Sequence, residues 1–437
     1  VAHRTRSWWA TPPSEAAGRP PMNRVRGRSD DTVALQRRDR PWLDTYVTVL
    51  VGSFEMPSTD DLRTAVAALA KRYPASRLTW RPDDARRYWI TDRPAESIVV
   101  ERDWDDATDV GDRVADLAGD PTLEPPLSLI RYPRHIGLRM SHGVGDGRLF
   151  LTVIAAALQT AITGEVVQWP VQSAGRFPLA SAAFNTFGRR PALALAAIAD
   201  RPDHDGATNP PGEQRPWSPS RSVQHTNMPR EQADEMYAWG KRNTPRASRF
   251  ALQVSLYLKA LHKAGLEIAP DVRVIVDLRR YLGWKYIDGN FVAGVPMLLD
   301  WTMGPEEISV RIKSTSASGR PLAGQMLAAL LGGVSMPEAT SVDTAARPRM
   351  TFSNLGWSPE IDSLPFLPDE PPVYAGSVPP EGPLGMTVLC GDNRRVMAMD
   401  TTFHDNAVNP VMLREAMGLA LADPIGLLSD SRGARLG

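Results

Sequence analysis

The sequence predicts an α/β protein of two related lobes, and three observations carry that prediction. Short apolar strands alternate with helices in both halves of the 437 residues, and a Pro/Gly-rich stretch separates those halves. A content of 42% hydrophobic and 23% charged residues is enough to bury a large core, and it excludes the disordered and disulfide-scaffold classes. Lys plus Arg and Asp plus Glu both number 50, so the formal net charge is zero. Without a basic field there is no affinity built on neutralising phosphates, and no nucleic-acid partner is expected.

Taken in order, the chain opens on an irregular Pro/Arg/Ser-rich segment over 1–40. Leu43 to Gly52 reads as a strand. Thr59 to Tyr73 reads as a helix, capped by Ser58 or Thr59, with two Asp residues in its first turn and Leu62, Val66, Leu69 and Ala70 on one face. Ser97 to Val100 is a short strand, Val110 to Leu117 a short helix, and Leu127 to Tyr132 with Ile136 to Met140 a strand pair. A polar, glycine-rich turn over 141–147 follows, and then Leu149 to Ile162, apolar nearly all round, as a buried helix requires.

From Gln168 to Ser220 the sequence thins into Pro, Gly, Asp and Arg. The boundaries expected from this are a first lobe over 41–170, a linker region over 171–220 and a second lobe over 221–437. The second lobe repeats the grammar of the first. It has a strand near Val223, helices at Arg230 to Arg242 and Arg249 to Ala264, and a strand from Val272 to Leu278. Further strands are expected at Phe291 to Leu299, Arg349 to Ser353, Gly385 to Leu389 and Val396 to Phe403, and helices at Pro305 to Ala317 and Val411 to Leu421.

The single cysteine, Cys390, rules out an internal disulfide and every multi-cysteine metal site, and it reads as a buried structural thiol. No apolar run approaches the roughly 18 residues needed to span a bilayer, and the first residues show no apolar leader core. A cytoplasmic protein without a membrane span, and a monomer, are expected.

The strongest chemical signal is Ser141-His142-Gly143-Val144-Gly145-Asp146-Gly147, at the point where an apolar strand ends and a buried helix begins. Such a turn holds a side chain rigidly in a cleft. Histidine there is suited to general-base work, because neutral imidazole is available at pH 7 to take the proton of an alcohol, amine or thiol. Asp146 is read as the residue that fixes the loop, through backbone N–H groups or through an arginine. The plain alternative is a hairpin-like turn carrying an incidental histidine.

At these residues the chain resembles the HHxxxDG acyltransferases: chloramphenicol acetyltransferase, the condensation domains of nonribosomal peptide synthetases and stand-alone ester-forming acyltransferases. Three further segments follow in the family's order. Arg72-Tyr73-Pro74-Ala75-Ser76-Arg77 is similar to the RHxxLR stretch. Val276-Asp277-Leu278-Arg279-Arg280-Tyr281-Leu282 with Gly289-Asn290-Phe291 is similar to the VDLRxxL and GN segment. Ser353-Asn354-Leu355-Gly356-Trp357 stands at the late strand motif. Ser141 replaces the first histidine of the family pair, and the aspartate of the DFGWG form has no counterpart, which moves the resemblance toward the stand-alone enzymes.

The resemblance implies two chloramphenicol acetyltransferase-like lobes, each a mixed sheet flanked by helices, arranged as a V-shaped pseudodimer. Donor and acceptor would enter a tunnel from opposite faces. It implies transfer of an acyl group from a CoA or carrier-protein thioester to a hydroxyl or amine, on a small molecule or a carrier-bound acceptor. His142 would be the base and Asp146 would pair with Arg279, with Arg77 as second candidate. Backbone N–H groups around Gly147 would serve the oxyanion, and Ser141 would support the site. Ser353, Asn354, Gly356, Trp357 and Asn290 would line the tunnel or the oxyanion region. The CoA or phosphopantetheine thioester is a co-substrate, with no resident cofactor and no metal required. The alternatives are a condensation enzyme joining two carrier-tethered intermediates, a non-catalytic carrier-docking protein, and a fold diverted to epimerisation or cyclisation.

Overall fold

The computed structural model describes residues 31–170, 177–200, 212–287, 289–331 and 339–430. The first half contains β1 (Thr32–Ala34), β2 (Tyr46–Gly52), α1 (Thr59–Arg72), β3 (Arg81–Pro82), β4 (Tyr88–Ile90) and β5 (Val99–Glu101). It continues with α2 (Val110–Gly119), β6 (Leu127–Arg131), β7 (His135–Ser141) and α3 (Gly147–Thr163). Helix α1 starts where a capping box forms: the Ser58 hydroxyl accepts from the Asp61 amide while the Asp61 carboxylate accepts from the Ser58 amide. Helix α3 is buried along most of its length from Leu149 to Thr160 and ends at Gly164, whose φ of 72° suits glycine. In place of a strand over Ser97–Val100, Ala95–Ile98 is a 3₁₀ turn and the strand begins at Val99.

Next come α4 (Pro178–Phe187), α5 (Pro191–Ala199), β8 (Gln214–Pro216), β9 (Arg221–Gln224), β10 (Asn227–Pro229), α6 (Arg230–Asn243) and α7 (Arg249–Lys263). They are followed by β11 (Asp271–Asp277), β12 (Val292–Leu298), α8 (Pro305–Ala317), α9 (Arg320–Leu331), β13 (Ser341–Asp343), β14 (Arg349–Trp357) and α10 (Pro359–Asp362). The chain finishes with β15 (Val373–Ser377), β16 (Gly385–Asp392), β17 (Val396–His404), α11 (Pro410–Ala422) and α12 (Pro424–Ser429). The first sheet has the order β15-β2-β7-β6-β5, and the second runs β10-β17-β16-β14-β11-β12 with β9 also on β17. Both are mixed: β5 with β6, β11 with β14 and β14 with β16 are parallel, and the other pairings are antiparallel. One apolar core lies between α1, α3 and the first sheet, and another between α7, α11 and the second.

The structure corrects three expectations. Strand β15 comes from the second half yet edges the first sheet, with Gly376 opposite Val49, so the lobes are not simply consecutive in sequence. The stretch 171–220, expected to be linker, carries α4 and α5. Their Ala182, Phe187 and Ala197 build a third core with Leu278, Leu282, Phe291 and Leu322; residues 171–176 and 201–211 lie outside the described residues. Of the segment 1–40, expected to be irregular, 1–30 lie outside the described residues. The rest supplies β1, which pairs with β4 in a small sheet, and the buried Arg38 and Asp39. Cys390 is fully buried in β16, where burial pushes its thiol pKa up.

Candidate active site

Strand β7 delivers Ser141 and then the turn to the start of α3. The turn is pinned at its start. The His142 amide donates to the Thr45 carbonyl at 2.7 Å and the Gly143 amide to that of Trp42 at 3.0 Å. Ser141, fully buried, donates its hydroxyl to the Leu43 carbonyl at 2.7 Å and accepts from the Gly143 amide at 3.2 Å. Ser141 therefore braces the loop through backbone groups.

The His142 ring is held between aromatics. Trp42 stands 5.2 Å away, tilted, and Phe150 meets it edge-on at 5.5 Å. Among the described residues Nδ1 is buried without a hydrogen bond of normal geometry, while the residue as a whole is of intermediate burial. Burial lowers the imidazole pKa from its ordinary 6.5, against the opposing Asp146 charge and the backbone of His142 and Gly145. The neutral, proton-accepting form therefore prevails at neutral pH.

Asp146 faces away from the helix it precedes. It makes no side-chain cap on α3; instead its Oδ2 accepts from the Arg279 guanidinium at 2.8 Å and from the Phe291 amide at 3.1 Å. Burial acts to raise the carboxyl pKa, but Arg279 and these hydrogen bonds outweigh it and hold the group below the usual carboxylate range. Arg279 is locked in turn: it donates to Asp277 Oδ1 at 3.3 Å and to the Ile287 carbonyl at 2.9 Å. Despite burial, the Asp146 and Asp277 charges raise its pKa, so the guanidinium stays charged. The pair joins the first half to the 3₁₀ turn Leu278–Leu282 of the second.

Arg77 is the second candidate partner for Asp146, and the structure assigns it elsewhere. In the left-handed conformation, with φ at 65°, its guanidinium pairs with buried Asp39 at 3.1 Å and donates to the carbonyls of Gly143 at 3.4 Å and Val144 at 3.1 Å. Gly289 passes directly over it: a Cβ there would stand 2.7 Å from Nη1, and its φ of 85° also favours glycine. The next residue, Asn290, is buried; its Oδ1 accepts from the Val292 amide at 3.3 Å and its Nδ2 has no partner among the described residues.

Gly147 opens α3, and Leu355 lies against it: a Cβ on Gly147 would meet Leu355 Cδ2 at 2.3 Å. Leu355 projects from a bulge in β14 between Asn354 and Gly356, closed by the Gly356 amide donating to Asn354 Oδ1 at 2.8 Å. No hydrogen bond or ring contact among the described residues joins Ser353, Asn354 or Trp357 to the His142 loop. Trp357 is half-exposed and carries Arg230 over its ring at 5.8 Å. The residues that sequence reasoning missed are Trp42, Phe150, Asp39 and Leu355. Phe150 and Leu355 sit within motifs already singled out, whereas Asp39 lies in a segment without any pattern.

No family model matches the chain, and no curated protein matches it. Solved structures do. The first condensation domain of the calcium-dependent antibiotic synthetase aligns at 13% identity over 94% of this chain and 100% of that one, with a TM-score of 0.58. The structure described for condensation domain-mediated chain release from the enacyloxin polyketide synthase aligns at 16% identity over 94% and 85%, with a TM-score of 0.53. Polyketide synthase associated protein 5 from Mycobacterium tuberculosis aligns at 14% identity over 90% and 98%, with a TM-score of 0.52. The chain therefore has the two-lobed α/β fold of the condensation domains.

Proposed function

We propose that the protein is an acyltransferase that moves an acyl group from a CoA or carrier-protein thioester to a hydroxyl or amine of a specialised metabolite. The observation that carries this reading is the His142 loop. It holds a histidine whose burial favours the neutral imidazole beside a helix start that no side chain caps. The names of three similar solved structures, a condensation domain of an antibiotic synthetase, a polyketide synthase associated protein and condensation domain-mediated chain release from a polyketide synthase, support the same class of chemistry.

In this mechanism His142 Nε2 accepts the acceptor's proton as its oxygen or nitrogen attacks the thioester carbonyl carbon. The carbonyl π electrons move onto oxygen, and the first amides of α3, at Gly147 and Arg148, which the Asp146 side chain does not cap, would be the donors for that oxyanion. Collapse re-forms the carbonyl, breaks the C–S bond, and returns the proton from His142 to the departing thiolate. Asp146 takes no proton; with its Oδ2 accepting from Arg279 and Phe291, it positions the loop.

Incubating the protein with a panel of acyl-CoA and acyl-carrier donors and candidate alcohols and amines, then reading product masses, tests this. Acylated acceptor with free thiol in equal amount is expected. Thioesters that stay intact across the whole panel contradict it.

A further inference from the structure

Helices α4, α5 and α9 pack on one another and on the 3₁₀ turn Leu278–Leu282 that holds Arg279. Their inner sides fill a core, but their outer sides carry apolar side chains exposed among the described residues. Phe184, Leu195, Ile198, Leu327 and Leu330 are between 49% and 76% exposed. Helix α5, PALALAAIA, has no polar side chain at all and buries only Ala197. Exposed apolar surface of this extent on neighbouring helices marks an interaction face.

The charges carried by these segments themselves are of one sign. The stretches 177–199, 278–287 and 320–331 contain Arg189, Arg190, Arg279, Arg280, Lys285 and Arg320 and no carboxylate, in a chain whose two signs balance at 50 each. Arg279 is spent on Asp146 and Arg320 donates to the Pro296 carbonyl, while Arg189, Arg190, Arg280 and Lys285 are exposed. Trp284, also exposed, lies beside Lys285. The acids bordering these stretches in sequence are Asp200, Asp277 and Asp288; Asp277 is engaged by Arg279 and Arg148, and Asp200, exposed at the end of α5, acts on Arg320.

We propose that this face docks on an anionic lipid surface. Apolar helices lying in the boundary between headgroups and acyl chains, with guanidinium and ammonium groups at headgroup level, are the physical form of interfacial binding. No helix among the described residues is long and apolar enough to cross a membrane, so the contact is peripheral. The lipid surface is favoured as occupant because α5, fully apolar in its side chains, is flanked by exposed Arg189 and Arg190, so apolar and cationic groups stand side by side. The proposal does not rest on acyl transfer, and its test reads binding, not turnover.

The test is flotation of the full chain with vesicles of phosphatidylcholine alone and of phosphatidylcholine with phosphatidylglycerol in equal parts. Binding to the anionic vesicles that weakens with added salt is expected. Leu195→Asp/Ile198→Asp should weaken it by about tenfold or more, and Arg189→Glu/Arg190→Glu should abolish the preference for anionic lipid. Because these side chains are exposed, unchanged melting is the expected control; Leu330→Ser, on a different helix, should also weaken binding. Absence of binding to either vesicle, or full binding by Leu195→Asp/Ile198→Asp, overturns the proposal. So does a dimer that the same variant splits, because a second copy would then be the occupant.

Discussion

Asp146 and Arg279 form a buried ion pair at 2.8 Å, 133 residues apart in sequence, between the loop that carries His142 and the second half of the chain. Neither member caps a helix or reaches solvent; both are 2–3% exposed. The pair ties the two halves together four residues from His142.

Asp146→Asn should therefore destabilise by about 3–5 kcal/mol, because it leaves the Arg279 charge buried without its counter-charge. Asp146→Asn combined with Arg279→Met should cost less than the sum of the two single changes, as expected of residues in direct contact. The pH dependence follows from the depressed carboxyl pKa. The contribution is complete above the unfolded aspartate value of about 3.9 and is lost as pH falls through the lower folded value. Wild type and Asp146→Asn should thus converge in stability on acidification, which denaturant melts at a series of pH values will read.

Gly147→Ala should lower both stability and turnover, since the new methyl meets Leu355 Cδ2. Overpacking of this kind costs about 1–3 kcal/mol. Leu355→Ala added to Gly147→Ala should restore part of the loss. Equal defects in the single and double variants would show that Leu355 is not the obstacle.

A fragment ending at residue 200 should fail to melt cooperatively. Strand β15, which edges the first sheet, and Ile361, Leu364, Phe366 and Tyr374, which fill the first core, all lie in the second half. Coexpression with the remainder of the chain should restore a cooperative transition, followed by circular dichroism. An isolated fragment melting like the whole chain would contradict this reading of the first lobe.

The His142 loop is legible in the sequence because its polar, glycine-rich residues stand out sharply between an apolar strand and an all-apolar helix. The partner of Asp146 comes through the resemblance, since 133 residues of separation leave no local signal. Arg77 is matched to the wrong carboxylate for the same reason: Asp39, its counter-charge, sits in a stretch with no periodicity. Strand β15 escapes a sequence reading because Val373–Ser377 lies between prolines and its pairing partner, β2, is in the other half. Helices α4 and α5 read as linker, because Pro and Gly around them mask short apolar helices whose burial is set by the 3₁₀ turn and α9. Local periodicity reports elements; it does not report which distant element covers them.

The most direct test of the central claim is the rate of acyl transfer from a thioester donor by His142→Ala across pH, beside wild type. A loss of about 10²- to 10⁴-fold at neutral pH is expected. Because burial lowers the imidazole pKa below 6.5, the acidic limb of the wild-type profile should lie below that value and vanish in the variant. A folded His142→Ala protein that turns over at the wild-type rate, or that keeps the same acidic limb, would contradict it.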